Sequence, residues 1–340
     1  HLSIRRQRQM CIRDSPRKKD EHGQYTTKRF CTDYRPHNDL TIIDPYPIPR
    51  QEELMEQMGQ AVIFSKLDLK SGYWQIPILE ADREKTTFRW GSEVWQFRRL
   101  PMGLKNAVAY FMRVMTHEIR LHKLEGFVAC YLDDLVVYSR SAEEHLEHVE
   151  ALLRMLTEVN LHAHPGKSVF GADSIEFLGH HISKYGMSPS AAKVKAIKGM
   201  PEPKDVHGLR AALGLFNYYH GYCPNYSSIA QPLYTLLQNN VKWHWTPVEQ
   251  AAYDGLKIEL ADSSKVVRRA DFSKEFLLHT DFSNYGCGAI LGQTDEAGQE
   301  YIVACASRSL NKHEQHYCSF QGEMLAVAVS YTHLRAHETL

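Results

Sequence analysis

Long hydrophobic runs are absent from this 340-residue chain. No stretch of about 18 apolar residues, enough to cross a bilayer, occurs, and the N-terminus lacks the charged, apolar and small-residue order of a signal peptide. The sequence therefore gives no support for membrane insertion or secretion. We expect an intracellular, cytoplasmic location.

Paired cysteines and an excess of charge are also missing. The seven cysteines are scattered without a C-x-x-C pair, which argues against a disulfide framework and a cysteine-rich zinc site. Lys plus Arg and Asp plus Glu each total 40, so any nucleic-acid surface must be a local basic groove. The 19 histidines include His162/His164 and His180/His181, which lack matching ligand partners and are interpreted as non-metal residues.

The overall composition is that of a globular protein. Hydrophobic residues make up 43% and charged residues 24% of the chain, and its length allows two or three domains with real cores. The two ends, residues 1–15 and 329–340, share no pattern with the rest and resemble translated sequencing-library adapters. We exclude them from the fold prediction. On this interpretation the chain is a fragment; the alternative for the N-terminus is a genuine basic arm.

Hydrophobic periodicity predicts an interleaved α+β fold. The predicted elements are strands at 29–35 and 61–69, a hairpin around Gly91, helices at 50–58, 106–121 and 142–158, short proline-punctuated helices beyond Met187, strands from Phe276, and a helix starting near Asn311. Ser141 and Glu144 predict a capping box at the start of the helix at 142–158. Asp68 stands at the end of the strand at 61–69.

Two adjacent aspartates are the most informative feature. Asp133 and Asp134 interrupt the segment F-V-A-C-Y-L-D-D-L-V-V-Y-S, which is otherwise an apolar pair of strands. Carboxylates at the tip of such a hairpin repel each other and lose hydration, which costs several kcal/mol per poorly solvated ion unless a cation neutralises them. The alternative is ordinary turn chemistry, because aspartate tolerates the left-handed conformation and bonds its own backbone.

A third carboxylate favours the metal interpretation. The strands and helices between Asp68 and the aspartate pair could bring all three side chains to one sheet. Such hard oxygen ligands suit Mg²⁺, and two such ions about 4 Å apart can activate a 3′-hydroxyl and stabilise a pyrophosphate leaving group. The residues thus predict nucleotidyl transfer.

Four ordered motifs resemble a known family. L-D-L-K-S-G-Y-W-Q-I, L-P-M-G-L-K-N-A, Y-L-D-D-L and F-L-G-H resemble the reverse transcriptase of gypsy-type LTR retrotransposons, over roughly residues 16 to 328. The resemblance implies a right-hand polymerase with a truncated RNase H-like α/β module. The implied domains are fingers and palm at 16–183, a helical thumb and connection at 184–265, and a partial RNase H-like domain at 266–328.

The same resemblance assigns roles to individual residues. Two Mg²⁺ ions, or Mn²⁺, would be held by Asp68, the Leu69 carbonyl and Asp133, with Asp134 in support. The implied nucleotide-binding residues are Arg29, Leu69, Lys70, Ser71, Gly72, Tyr73, Met102, Gly103 and Lys167, with Lys18 or Lys19 assisting. The implied primer grip is Phe177, Leu178 and Gly179.

Within the nucleotide site, Tyr73 would exclude a 2′-hydroxyl and the amides of residues 70–72 would bind triphosphate oxygens. Arg29 would clamp the phosphates, and Lys167 would give a proton to pyrophosphate. Plainer alternatives are a half-buried aromatic for Tyr73, a solvated arginine for Arg29 and a simple hairpin for the primer grip. The chain departs from the family pattern at Val108, Tyr110 and Met112, where relatives carry Pro, Thr and Gln, which leaves local geometry and fidelity open.

Asp281 and Glu323 match catalytic carboxylates of the RNase H domain. That chemistry needs further carboxylates from segments that the chain lacks, so we expect RNA-strand cleavage to be absent or severely weakened. The implied partners are an RNA or DNA template, a DNA or tRNA primer and dNTPs, within the virus-like particle of the parent element. Rival interpretations are a non-catalytic nucleic-acid-binding protein, a metal-dependent nuclease and an RNA-dependent RNA polymerase. The oligomeric state stays open.

Overall fold

The computed structural model describes residues 12–13, 31–262, 266–283 and 285–334. The chain divides into two compact units, residues 1–173 and 174–340. Each unit combines helices with antiparallel sheets, in agreement with the α+β prediction. No described helix is long and apolar enough to cross a membrane.

The first unit is built on a four-stranded antiparallel sheet. Its strands are β1 (Ile12–Arg13), β2 (Cys31–Thr32), β3 (Ile63–Asp68), β4 (Phe88–Trp90), β5 (Glu93–Trp95), β6 (Val128–Tyr131), β7 (Asp134–Ser139) and β8 (Val169–Ala172). Its α-helices are α1 (Arg35–Leu40), α2 (Gln51–Gln57), α3 (Glu80–Arg83), α4 (Ala107–Leu121) and α5 (Ala142–Glu158). The main sheet has the order β6-β7-β3-β8, while β4 and β5 form the predicted hairpin.

Two amphipathic helices share a hydrophobic core with this sheet. Helix α4 contributes Phe111 and Met115, and α5 contributes Leu152 and Met155, all fully buried at spacings of three or four residues. Strand β7 lies between β6 and β3, and its residues after the half-buried Asp134 are all buried. The periodicity therefore predicted these helices and their buried faces correctly.

Two local predictions for this unit were wrong. The segment 29–35 was predicted as one strand, of which residues 29 and 30 lie outside the described part of the chain. Cys31–Thr32 form β2, but α1 begins at Arg35, where Pro36 fits the first helical turn. The capping box on α5 is incomplete. The Ser141 hydroxyl accepts the Glu144 N–H, but the Glu144 carboxylate accepts the N–H of Arg140 instead of that of Ser141.

The second unit contains two three-stranded antiparallel sheets and a group of helices. Its strands are β9 (Ser174–Phe177), β10 (His180–Ser183), β11 (Gly186–Pro189), β12 (Leu277–Phe282), β13 (Gly286–Thr294) and β14 (Glu300–Ser309). Its α-helices are α6 (Ala191–Lys198), α7 (Val206–Tyr218), α8 (Tyr226–Thr235), α9 (Pro247–Leu260) and α10 (Ser319–Leu334). Helices α6 to α9 share a core in which Leu209, Phe216 and Leu256 are fully buried.

The last helix starts later than predicted. Periodicity placed its beginning near Asn311, but α10 begins at Ser319. The intervening residues form a short turn because the Glu314 carboxylate accepts the Asn311 N–H and pairs with Arg308. These contacts satisfy the Asn311 N–H outside a helix, and the helix begins only at Ser319.

Candidate active site

The aspartates meet where β3 and β7 pair. The antiparallel register sets Asp68 opposite Asp134, and the Leu69 N–H donates to the Asp133 carbonyl at 3.0 Å. Leu132, at the tip of the β6–β7 hairpin, has a φ of 55°, a left-handed conformation that is uncommon for leucine. The sheet therefore brings the three predicted carboxylates to neighbouring positions.

Asp133 has an environment that is unfavourable for a lone carboxylate. Burial, followed by repulsion from Asp68 and Asp134, raises its pKa to about 6, although Lys167 acts in the opposite direction. Its Oδ1 atom is buried, and it has no hydrogen-bond partner among the residues that the structure describes. A buried carboxylate oxygen without a donor is costly, so this atom is suited to accept a cation.

Lysines pair with the other two carboxylates. Lys66 Nζ lies 3.2 Å from Asp134 Oδ1, and Lys167 Nζ lies 3.7 Å from Asp68 Oδ2. Within the described part of the chain, no three His, Cys, Asp or Glu side chains are grouped closely enough to hold a metal ion. The carboxylates share one sheet end but do not form a closed ligand set, since Asp68 and Asp134 each face an ammonium group. Their oxygen chemistry and the unpartnered Asp133 Oδ1 still fit Mg²⁺.

Gly72 makes the close approach of Asp133 possible. A Cβ atom built on this buried glycine would overlap Asp133 Oδ1 and lie 3.1 Å from Phe111 Cζ. The absence of a side chain at residue 72 therefore allows the carboxylate to pack against the turn that follows β3.

We expect Gly72→Ala to lower primer-extension activity about a hundredfold, because a displacement near 1 Å of a reacting group has an effect of this size. The measurement is single-nucleotide extension at saturating substrate. Gly126→Ala is the matched control, since a Cβ there would meet nothing within 4 Å. Equal activity of both variants would show that the Gly72–Asp133 contact is not needed.

Tyr73 lies against the hydrophobic core of the first unit. Its ring is half-buried and packs on the Phe111 ring, with centroids 5.1 Å apart, while burial and the nearby Asp133 raise the pKa of its hydroxyl. These contacts agree with both interpretations of the residue, a sugar gate and a half-buried aromatic. Its role as a gate stays a prediction.

One of the three backbone amides in the turn at residues 70–72 already donates a hydrogen bond within the protein. The Lys70 N–H donates to the His162 carbonyl at 2.9 Å, whereas Ser71 is exposed and left-handed with a φ of 56°. The phosphate-binding prediction therefore concerns the amides of Ser71 and Gly72. Sequence reasoning missed Gln75 beyond this turn, whose side chain bonds both Lys70 and His162.

The segment carrying Met102 and Gly103 is held by two asparagines. Asn38 donates to the Gly103 carbonyl at 2.9 Å and accepts the Lys105 N–H, while Asn106 donates to the Ile42 carbonyl. Gly103 has a φ of 95°, a conformation that favours glycine, and Met102 is exposed. No local pattern indicates the role of Asn38, because its partners lie more than sixty positions away.

One of the three departures from the family pattern contacts the β6–β7 hairpin. Met112 is fully buried, and its Sδ atom accepts the Leu132 N–H at 3.2 Å. Tyr110 is exposed and Val108 is half-buried. Of the three, Met112 is therefore the departure that can alter the local geometry of the hairpin tip.

The predicted primer grip lies in the second unit, at a two-residue turn between β9 and β10. Leu178 and Gly179 have φ values of 51° and 81°, and Phe177 is fully buried. The hydroxyls of Tyr218 and Tyr219 donate to the carbonyls of Leu178 and Gly179, at 2.6 and 3.0 Å. The sequence predicted the tight turn but not these two tyrosines.

The two predicted nuclease carboxylates occupy the expected elements. Asp281 lies on β12 and Glu323 on α10, and both are exposed. A Cβ on Gly322 would overlap the Phe282 ring, so the helix and strand touch next to both residues. Arg29, Lys18 and Lys19 lie outside the described residues.

Two family models match the chain. Residues 16–182 match "Reverse transcriptase (RNA-dependent DNA polymerase)", and residues 245–337 match "RNase H-like domain found in reverse transcriptase". The chain therefore belongs to the reverse transcriptase family, as the ordered motifs predicted. This family depends in general on divalent metal ions.

The chain is similar to part of several retrotransposon polyproteins. It is 35% identical over 309 residues to the transposon Tf2-3 polyprotein of Schizosaccharomyces pombe, and 34% identical over 312 residues to the Tf2-7 polyprotein of the same organism. Each match covers 91% of this chain and 23% of the polyprotein, so the chain spans about a quarter of the length of these relatives.

Solved structures confirm the fold. A foamy viral protease-reverse transcriptase in complex with dsDNA has a TM-score of 0.82 and 22% identity, covering 97% of this chain and 66% of that one. The same type of protein in complex with an RNA/DNA hybrid has a TM-score of 0.73 and 21% identity, covering 90% of this chain and 41% of that one. The predicted polymerase fold with an RNase H-like domain is thus correct.

Proposed function

We propose that this chain is an RNA-directed DNA polymerase that extends a primer on an RNA or DNA template with dNTPs. The observation that carries the proposal is the β3–β7 register, which sets Asp68 opposite Asp134. Beside them lies Asp133 Oδ1, which has no hydrogen-bond partner in the described part of the chain. Membership of the reverse transcriptase family supports the same chemistry. The primer would be DNA or a tRNA, and the reaction would take place in the cytoplasm, within the particle of the parent element.

The cofactor we propose is a pair of Mg²⁺ ions, with Mn²⁺ as a substitute. Asp68, Asp133 and the Leu69 carbonyl would hold them, and Asp134 would support the site. When bound, such ions supply activation of the primer 3′-hydroxyl and charge stabilisation of the pyrophosphate leaving group. Lys66 and Lys167 would then exchange their carboxylate contacts for other partners.

The chain's own residues would bind and orient the substrates. The Ser71 and Gly72 amides would bind triphosphate oxygens, and Arg29 with Lys18 or Lys19 would clamp them. Tyr73 would exclude the 2′-hydroxyl, and Lys167, 3.7 Å from Asp68, would deliver a proton to pyrophosphate. Met102 and Gly103 would pack beside the template base, and the turn at Leu178 and Gly179 would position the primer end.

Primer extension tests the proposal directly. The purified chain should elongate a labelled DNA primer on an RNA template when dNTPs and Mg²⁺ are supplied, and chelation should stop the reaction. Template binding without extension, in Mg²⁺ and in Mn²⁺, would instead favour the non-catalytic nucleic-acid-binding protein.

Thermal melting should report the metal site independently of catalysis. We expect Mg²⁺ to raise the melting temperature of the wild-type chain by a few degrees, because a ligand that binds the folded state stabilises it. Asp133→Asn should melt at or above the wild-type temperature without Mg²⁺, since it removes the charge of a half-buried carboxylate repelled by Asp68 and Asp134, and should not respond to Mg²⁺. The control is NaCl of matched ionic strength, and an equal Mg²⁺ response of both proteins would place the ion elsewhere.

We also propose that this chain does not cleave the RNA strand of a hybrid. Of its residues, Asp281 and Glu323 match the nuclease carboxylates, and two-metal cleavage needs a fuller acidic set. The measurement is release of labelled fragments from an RNA/DNA duplex, with an active RNase H as positive control. Cleavage that disappears in Asp281→Asn would contradict this proposal.

We further propose domain boundaries at 183/184, between fingers–palm and thumb–connection, and at 265/266, before the RNase H-like domain.

A further inference from the structure

Antiparallel hydrogen bonding along one edge of β3 continues past Asp68, the last residue of the strand. The His164 N–H donates to the Asp68 carbonyl at 2.7 Å, the Lys70 N–H donates to the His162 carbonyl at 2.9 Å, and Leu69 lies opposite Ala163. The segment 162–164 therefore forms a short antiparallel ladder with the residues that follow the catalytic strand. The turn at Pro165–Lys167 comes next along the chain, and its lysine reaches Asp68.

The Gln75 side chain adds three hydrogen bonds to this ladder. Gln75 Nε2 donates to the Lys70 carbonyl at 2.8 Å and to the His162 carbonyl at 3.0 Å, and Gln75 Oε1 accepts the His162 N–H at 2.7 Å. The carboxamide thus bonds His162 through both its N–H and its carbonyl, as a strand neighbour would. Both donor hydrogens of the amide are used.

The Gln75 hydrogen bonds close residues 70–75 into a turn, which is the proposed nucleotide-binding turn. Residues 70–75 leave the ladder at Ser71, which is left-handed, and pass through the short helical turn Gly72–Gln75 before the carboxamide returns to Lys70. The Arg99 guanidinium holds the Gln75 backbone carbonyl at 2.6 Å. Gly72 and Tyr73 lie inside the closed turn, so its shape fixes their backbone.

We propose that Gln75 is a positioning residue that sets sugar selection, because its carboxamide locks the turn carrying Tyr73 to the 162–164 segment. This inference rests on the proposed function. Phe111 supports the Tyr73 ring, and Gln75 fixes the backbone from which that ring projects. Gln75 bonds backbone groups, so it acts on the nucleotide through Tyr73 and Gly72.

Gln75→Glu is the sharpest variant, because it keeps the size of the side chain, removes both donors and brings a carboxylate towards the Lys70 and His162 carbonyls. Single-nucleotide extension should show a KM for dNTP raised about tenfold, as expected when hydrogen bonds that shape the turn are lost. The kcat should stay within about threefold, and the preference for dNTP over rNTP should fall about tenfold. Gln57→Glu, on the exposed face of α2, makes the same charge change and should leave all three values unchanged.

A structural role without positioning would have a different signature. Loss of folded protein would lower kcat for dNTP and rNTP alike, with an unchanged KM and an unchanged sugar preference, and this result would overturn the inference. Hydrogen exchange provides a readout that needs no catalysis. Amides at residues 68–75 and 161–164 should exchange faster in Gln75→Ala than in the wild type, and unchanged exchange would also overturn the inference. A wild-type chain that does not extend primers would contradict the proposed function, while the exchange measurement would still decide whether Gln75 holds the turn.

Discussion

Asp133→Asn should lower primer extension at least about a thousandfold. The change keeps the shape of the side chain but removes the charge of the carboxylate whose Oδ1 atom is buried and unpartnered among the described residues. Metal ions contribute several kcal/mol of transition-state stabilisation, and each 1.36 kcal/mol changes the rate tenfold. The measurement is the single-turnover rate on an RNA template at saturating dNTP and Mg²⁺.

The matched control for this variant is Asp173→Asn. Asp173 is exposed, stands after β8 and should tolerate the same change without loss of rate. Equal extension by wild type and Asp133→Asn would contradict the polymerase proposal itself. Loss of activity together with loss of folding is not expected, because the asparagine relieves repulsion from Asp68 and Asp134.

Tyr73→Val should admit ribonucleotides, with the dNTP-over-rNTP preference falling about 10- to 200-fold. A steric contact of one small group in a pocket has an effect of this size on specificity. The half-buried ring packs on Phe111, so shortening it opens space where the 2′-hydroxyl would lie. The measurement is the ratio of kcat/KM for matched deoxy- and ribonucleotides.

Tyr73→Phe separates the ring from its hydroxyl. It keeps the contact with Phe111 and should retain wild-type sugar selection, whereas Tyr73→Ala should lose it as Tyr73→Val does. Unchanged discrimination in all three variants would favour the half-buried aromatic interpretation. Because a smaller side chain leaves a gap beside Phe111, the melting temperature of each variant should be measured in parallel.

Local patterns predicted much of the palm. The apolar spacing of α4 and α5, the apolar runs of β6 and β7 and the position of Asp68 at a strand end are all properties of short windows, and the structure confirms them. Such features follow from periodicities of 3.6 and 2 residues, which each segment displays by itself. Local sequence is therefore sufficient to place the adjacent aspartates at a hairpin tip.

The sequence-based predictions were wrong or incomplete where contacts with distant or competing groups determine the local structure. The late start of α10 depends on Glu314, whose carboxylate satisfies Asn311 and Arg308. The bond from Met112 to Leu132 and the two bonds from Tyr218 and Tyr219 to the turn predicted as the primer grip join residues on different elements. No short window of sequence contains both partners of the Met112, Tyr218 and Tyr219 bonds, whereas the Glu314 contacts are local and compete with helix formation.

The sequence by itself determined the family, the α+β elements and the three carboxylates, because these depend on residue types in ordered local motifs. Only the tertiary structure decided how the carboxylates are arranged. The β3–β7 register opposes Asp68 and Asp134, Gly72 lets Asp133 approach, and burial raises the pKa of Asp133. Register, close approach and desolvation are properties of segments in contact, so they arise when the sheet forms.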